Sequence, residues 1–150
     1  MTIRLKFGTP EPGVAYEPRP TAFGLAFDAQ GRLACVEVDR GEGPYLDLPG
    51  GALDGDESES EALAREFGEE TGLRVRAVAR IAEASQLFRK TDGHPVDNQA
   101  GFWIAEVLAA EPGLKCEDDH ALVWIRPEEA LRRLRHEAHA WAVAVWLRRG

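Results

Sequence analysis

The residues from Gly50 to Leu73, GGALDGDESESEALAREFGEETGL, constrain this chain more than any other stretch. Ser58 with Glu61 three positions later is a capping-box pattern that opens a helix, and Gly72 is the kind of residue that closes one. With about 100° between successive residues and Glu66 as the origin, Glu69 falls near −60° and Glu70 near +40°, so three carboxylates leave one side. Leu63 and Phe67 fall near +60° and +100°, which gives the helix an adjoining apolar side to bury. One helix therefore has to set an anionic face against a core.

That face is locally unfavourable. Glu66 repels Glu69 and Glu70 by roughly 0.2–0.5 kcal/mol per pair on an isolated helix, and the acids occupy the last turns, where the helix dipole favours cations. A bound divalent cation reverses both effects. Carboxylates with a backbone carbonyl make an all-oxygen set, suited to Mg²⁺ or Mn²⁺ rather than to zinc. Taken alone, such a helix also reads as a solvated acidic surface, and the wider spacing decides between the two.

At full length the stretch reads Gly51, five residues, Glu57, seven residues, then Arg65-Glu66-Phe67-Gly68-Glu69-Glu70-Thr71-Gly72-Leu73. This resembles the Nudix box, with every fixed position present; Phe67 is aromatic where an aliphatic residue is usual. The resemblance implies an α/β fold, a Nudix α/β/α sandwich with a mixed β-sheet in which the box forms a loop, a helix and a loop. It implies that Glu66, Glu69 and Glu70, with the carbonyl of Gly50, bind the metal, and that Arg65 and Glu57 orient those ligands. The general base is implied to be Glu69 or a residue of the acidic loop Cys116-Glu117-Asp118-Asp119-His120, with Glu117 the first candidate. The activity implied is Mg²⁺-dependent hydrolysis of a nucleoside diphosphate linked to another moiety. MutT-like hydrolysis of nucleoside triphosphates, oxidised ones included, leads; nucleotide sugars, ADP-ribose or dinucleoside polyphosphates come second. A Nudix-like domain that binds nucleotide without turnover is the reading from another class. Where some ADP-ribose hydrolases carry a proline and some dinucleoside polyphosphate hydrolases a tyrosine, this chain has Arg89, Lys90 and Thr91.

The 150 residues suit one domain spanning 1–150, and no repeat or low-complexity tract divides them. A net charge of −8 argues against a nucleic-acid polymer as partner, since phosphate backbones need a Lys and Arg surface. A small nucleotide-type substrate arriving with its metal fits that charge. The start lacks the apolar core of a secretory signal, and no run approaches the ~20 residues of a membrane span. A cytoplasmic protein, monomeric or homodimeric, is expected. Cys35 and Cys116 form no metal-ligand spacing.

Strands are expected over Thr2 to Phe7, Thr21 to Phe27, Arg32 to Val38, Leu73 to Ile81, Gln99 to Leu108 and Leu122 to Ile125. Thr9 to Pro20 reads as an irregular connector. Glu83 to Asn98 reads as a long polar insert whose Phe88, Arg89 and Lys90 are candidate substrate contacts, Phe88 stacking on a base and the cations holding phosphate. Pro127 opens a helix. The closing helix, His136 to Arg149, should bury Leu134, Ala138, Trp141 and Val145. His136 and His139 lie one residue too close for a zinc HExxH motif and are expected at the surface.

Overall fold

A computed structural model describes residues 4–149. The expected strand at the start is seen over Leu5–Phe7 (β1), and the part placed on Thr2 and Ile3 lies outside the described residues. Then come β2 (Glu17–Leu25), β3 (Leu33–Val38), β4 (Tyr45–Asp47), β5 (Gly50–Ala52), α1 (Glu59–Thr71), β6 (Leu73–Arg89), β7 (Pro95–Ala110), β8 (His120–Ile125), α2 (Pro127–Arg133) and α3 (Glu137–Arg148).

The main sheet is mixed, in the order β1-β6-β7-β2-β5, with β1–β6 and β2–β7 parallel and the other neighbours antiparallel. Strands β4-β3-β8 make a second, antiparallel sheet. Leu63 and Phe67 of α1 pack on one face of the main sheet against Ala22, Leu73, Val75 and Ala105. On the other face Ala138, Ala142 and Val143 of α3 pack with Phe23, Ala84, Ala100 and Phe102. The expected layering of helix, mixed sheet and helix is thus observed. Gly24 is required by this packing, since a Cβ there would stand 2.9 Å from a Leu63 methyl.

Three expectations are corrected. Glu83 to Asn98 is not an insert: β6 and β7 pair from Leu73↔Ala110 to Arg89↔Pro95, with register shifts only before Ala82, and within the expected insert only the turn from Lys90 to His94 is irregular. The polar residues that suggested a loop are taken up inside the structure, as when Gln86 Oε1 accepts the Ala138 N–H at the start of α3. Likewise the connector up to Pro20 ends early, because β2 begins at Glu17 despite Pro18 and Pro20. Strand β5 pairs only with Thr21, Ala22 and Phe23, so at both prolines β2 is an edge strand, where a missing N–H is tolerated.

The third concerns α3. His136 and His139 are buried, with 5% and 2% of their surfaces exposed. The helix is turned so that Ala138, His139, Ala142 and Val143 face inward, while Trp141 is partly covered and Val145 is half-buried. The ring of His139 lies 4.4 Å from that of Phe23, and Trp146 stacks on Phe27 at 4.2 Å. Among the described residues no helix is long and apolar enough to cross a membrane.

Candidate active site

Helix α1 is closed at both ends as its sequence requires. Ser58 Oγ accepts the Glu61 N–H, Glu61 accepts the Ser58 N–H, and Gly72 takes a left-handed conformation at φ 75°. No basic residue occupies its last turn. There the Glu69 carbonyl accepts the N–H groups of Cys116 and Glu117, so the acidic loop is fastened to the helix end that carries the carboxylates.

Arg65 organises the outer side. Its Nε and Nη2 donate to the two oxygens of Glu57 at 2.8 and 2.9 Å, Nη1 donates to Glu66 and Glu69 at 3.1 Å each, and Nη2 also donates to the Ala52 carbonyl at 3.1 Å. Hydrogen bonds from this guanidinium hold the Glu57 carboxyl down at about 2. The planar fork thus spans three carboxylates and the start of the box loop.

The inner side is tighter. Glu66 and Glu70 have pKa values raised by burial, Glu70 strongly. Glu70 accepts the Gly50 N–H at 3.1 Å and lies 3.5 Å from Nε2 of buried His120, whose Nδ1 meets Asp119 at 2.7 Å. Asp119 in turn accepts from Arg40 at 2.9 Å. The paired glycines are where backbone and carboxylate meet: a Cβ on Gly51 would sit 2.7 Å from the Glu66 carboxyl carbon. Gly50 has φ 145°, and a Cβ there would fall 2.1 Å from the Ala22 carbonyl oxygen.

Gly50, Glu66, Glu70 and Glu117 line one cleft of about 260 Å³, and Phe88 and Lys90 line it as well. Glu57 and Arg65 stand behind it as supports. Glu69 points aside toward Cys116 and Glu117, with which it forms one cluster of possible ligand atoms; Glu117, Asp119 and His120 form another. Arg89 turns outward to pair with Glu11 at 2.7 Å and borders a neighbouring hollow of about 250 Å³. Sequence reasoning missed Arg19, Asp47, Asn98 and Arg135, which also line the cleft. For Asp47 a signal existed, since alternation along Tyr45-Leu46-Asp47 puts Tyr45 and Asp47 on one face; Arg19 and Asn98 had been placed in a connector and an insert. A larger hollow of about 720 Å³ beside the Asp28–Gly31 turn, lined by Arg32, Arg126 and Trp146, contains a single acid, Glu128, and no comparable chemistry.

The donor set fits a hard divalent cation. It is all oxygen, three of its carboxylates and Gly50 line one cleft, and Glu70 is buried with only the Gly50 N–H and His120 at 3.5 Å beside it.

A NUDIX domain profile matches residues 17–147. The chain belongs to the Nudix family. Nudix hydrolases act on phosphoric anhydrides. A MutT-like protein of Streptomyces ambofaciens is 29% identical over 115 residues, a match covering 74% of this chain and 66% of that protein's length. A NUDIX hydrolase from Nitrosomonas europaea superposes with a TM-score of 0.73 at 19% identity, covering 87% of this chain and 88% of that one. An ADP-ribose pyrophosphatase from Streptococcus suis superposes with a TM-score of 0.63 at 21% identity, covering 89% and 93%. At these identities the superpositions carry the fold.

Arg65→Lys is expected to keep the Nudix fold and lose activity by about 10–100-fold, because a lysine cannot hold Glu57, Glu66 and Glu69 together. Steady-state rates over a Mg²⁺ titration check this: a variant that more metal restores fully has lost ligand orientation, whereas an unchanged rate would remove Arg65 from the site's support.

Proposed function

We propose that this Nudix chain is a Mg²⁺-dependent pyrophosphohydrolase that cleaves the diphosphate linkage of nucleoside diphosphate derivatives, with nucleoside triphosphates, oxidised ones included, as its leading substrates. The observation that carries this is the mixed lining of one cleft, where Glu66, Glu70 and Glu117 meet Arg40, Lys90 and Arg135. Glu66, Glu69, Glu70 and the Gly50 carbonyl would hold Mg²⁺ or Mn²⁺, which supplies charge neutralisation on the phosphates and lowers the pKa of a bound water. Glu70 is positioned for this by the Gly50 N–H and Glu66 by Arg65. Lys90, for which no carboxylate lies within salt-bridge distance among the described residues, is free to meet a phosphate oxygen. A carboxylate at the cleft mouth then removes the proton from the attacking water. Glu117 lines the cleft and Glu69 adjoins it, so both serve as candidates for that base.

One feature favours the second substrate class. The hollow bordered by Arg89 shares Arg40, Tyr45, Lys90, Thr91 and Arg135 with the main cleft, which leaves room for a moiety beyond the diphosphate. Product analysis separates the two. Nucleoside triphosphates, nucleotide sugars, ADP-ribose and dinucleoside polyphosphates would be incubated with the protein and Mg²⁺ and the products resolved. Pyrophosphate with a nucleoside monophosphate is expected. Two phosphate monoesters from a capped substrate would instead establish the second class, and nucleotide binding without products would leave a binding domain.

A further inference from the structure

Two of the groups that line the cleft, Arg19 and Asn98, are donors outside the acidic set. Arg19 of β2 and Asn98 of β7 are neighbours across the parallel ladder. Arg19 Nε donates to Asn98 Oδ1 at 2.9 Å, which fixes the amide so that its NH₂ group is the part left over. Among the described residues Arg19 makes no ion pair, and neither its terminal nitrogens nor the Asn98 amide nitrogen has a hydrogen-bond partner. Asn98 is only 4% exposed, and burial pulls the Arg19 pKa down against the attraction of Glu66 and Glu17. A desolvated cation and a buried amide with spare donors are costly unless a ligand satisfies them.

Three acceptors around this part of the structure are already engaged. Gln86 Oε1 holds the Ala138 N–H, His139 Nδ1 holds the Leu48 N–H, and Asp47 holds Arg135. The rings of Phe88 and His136 line the same cleft and pack on each other, with centres 4.5 Å apart and planes tilted by 59°. A planar ring can lie against this aromatic surface, and an edge rich in acceptors is the chemistry that such donors require.

We infer that Arg19 and Asn98 form a base subsite that selects nucleotides with oxo-substituted bases, guanine and uracil or thymine, over those with amino-substituted bases, adenine and cytosine. This rests on the pyrophosphohydrolase reading and extends it to the base. An arginine and an amide donor facing O6 and N7 of guanine, or O4 of uracil, meet acceptors; facing N6 of adenine or N4 of cytosine, they meet donors. Each such pairing discriminates by roughly 5–150-fold.

Two measurements test it. The first is kcat/KM for GTP, UTP, ATP and CTP with Mg²⁺, for wild type and Asn98→Asp. Wild type is expected to prefer GTP and UTP by about tenfold or more, and Asn98→Asp, which puts an acceptor where the NH₂ stood and can still pair with Arg19, to shift the ratio toward ATP and CTP. The second is the affinity of GMP, UMP, AMP and CMP without metal, which reads the base subsite independently of turnover. Tighter binding of GMP and UMP that Asn98→Asp reverses supports the subsite even if no triphosphate is hydrolysed, in which case the hydrolase reading alone fails. Equal kcat/KM and equal affinity for all four bases, or a preference that Asn98→Asp leaves untouched, would overturn it.

Discussion

Glu70→Gln should abolish nearly all turnover while making the metal-free protein more stable. Loss of one carboxylate from the set proposed to hold Mg²⁺ would remove charge stabilisation worth several kcal/mol in the transition state, which is on the order of 10³-fold in kcat. The stability gain comes from the same side chain. Glu70 is 7% exposed, its strongest electrostatic neighbours include Glu66, Asp47 and Glu117, and its fixed supports are one backbone N–H and His120 at 3.5 Å. A glutamine has nearly the same shape, accepts the Gly50 N–H equally well, and removes a buried charge. The two readouts are product release with saturating Mg²⁺ and thermal unfolding in chelator. A variant that is inactive and less stable would mean that Glu70 serves the fold, and an active variant would remove it from the metal site.

The second large effect is on acid stability. His136 and His139 are buried in the start of α3, and burial lowers their pKa values, that of His136 to about 3 and that of His139 well below normal. Below about pH 6.5 the unfolded chain protonates both rings while the folded chain keeps them neutral. Unfolding therefore takes up protons, and stability falls as pH is lowered through that window, by about 1.4 kcal/mol per pH unit for each ring. The acids Asp47, Glu66 and Glu70, whose folded pKa values desolvation raises, act in the opposite sense: their penalty at neutral pH is relieved as they protonate. The histidine contribution is isolated by comparing wild type with His136→Phe in denaturant titrations at pH 6.5, 5.5 and 4.5. The His136 side chain makes no hydrogen bond among the described residues and packs on Phe88, so phenylalanine fits its surroundings. The variant is expected to gain about 2.3 kcal/mol relative to wild type between the ends of that range. Parallel curves would show that His136 titrates normally and hence that solvent reaches it.

These two residues mark the boundary of what the sequence disclosed. Glu70 was legible because the helix period, the capping box and the terminal glycine fix its direction from local residues alone, and α1 forms where those signals put it. His136 was not, because whether a helix residue is buried depends on what lies over it. The half turn that separates a stripe through Trp141 from one through His139 is set by the distant sheet face bearing Phe23 and Phe102. The same holds for β6 and β7. Ser85, Gln86, Asp97 and Asn98 look like loop residues in one dimension, yet they pair in a ladder covered on one side by α3 and extended by β1. The substrate end of the cleft was hidden for a related reason. Its floor joins residues 79 positions apart, and neither has meaning until the strands lie side by side.

That separation also bears on how the chain acquires its shape. Strands β6 and β7 are joined by the five residues Lys90 to His94, so they can zip from a short turn, a step of roughly microseconds for a hairpin. Strand β2 has to find β7 in parallel across most of the chain between them, and the entropy of closing so long a loop must be met before any contact rewards it. Arg19 and Asn98 straddle that slower seam. A folding chain would therefore assemble its hairpin and the α1 contacts on it well before the Arg19–Asn98 pair exists, and a nucleotide added during refolding should bind only in the last kinetic phase.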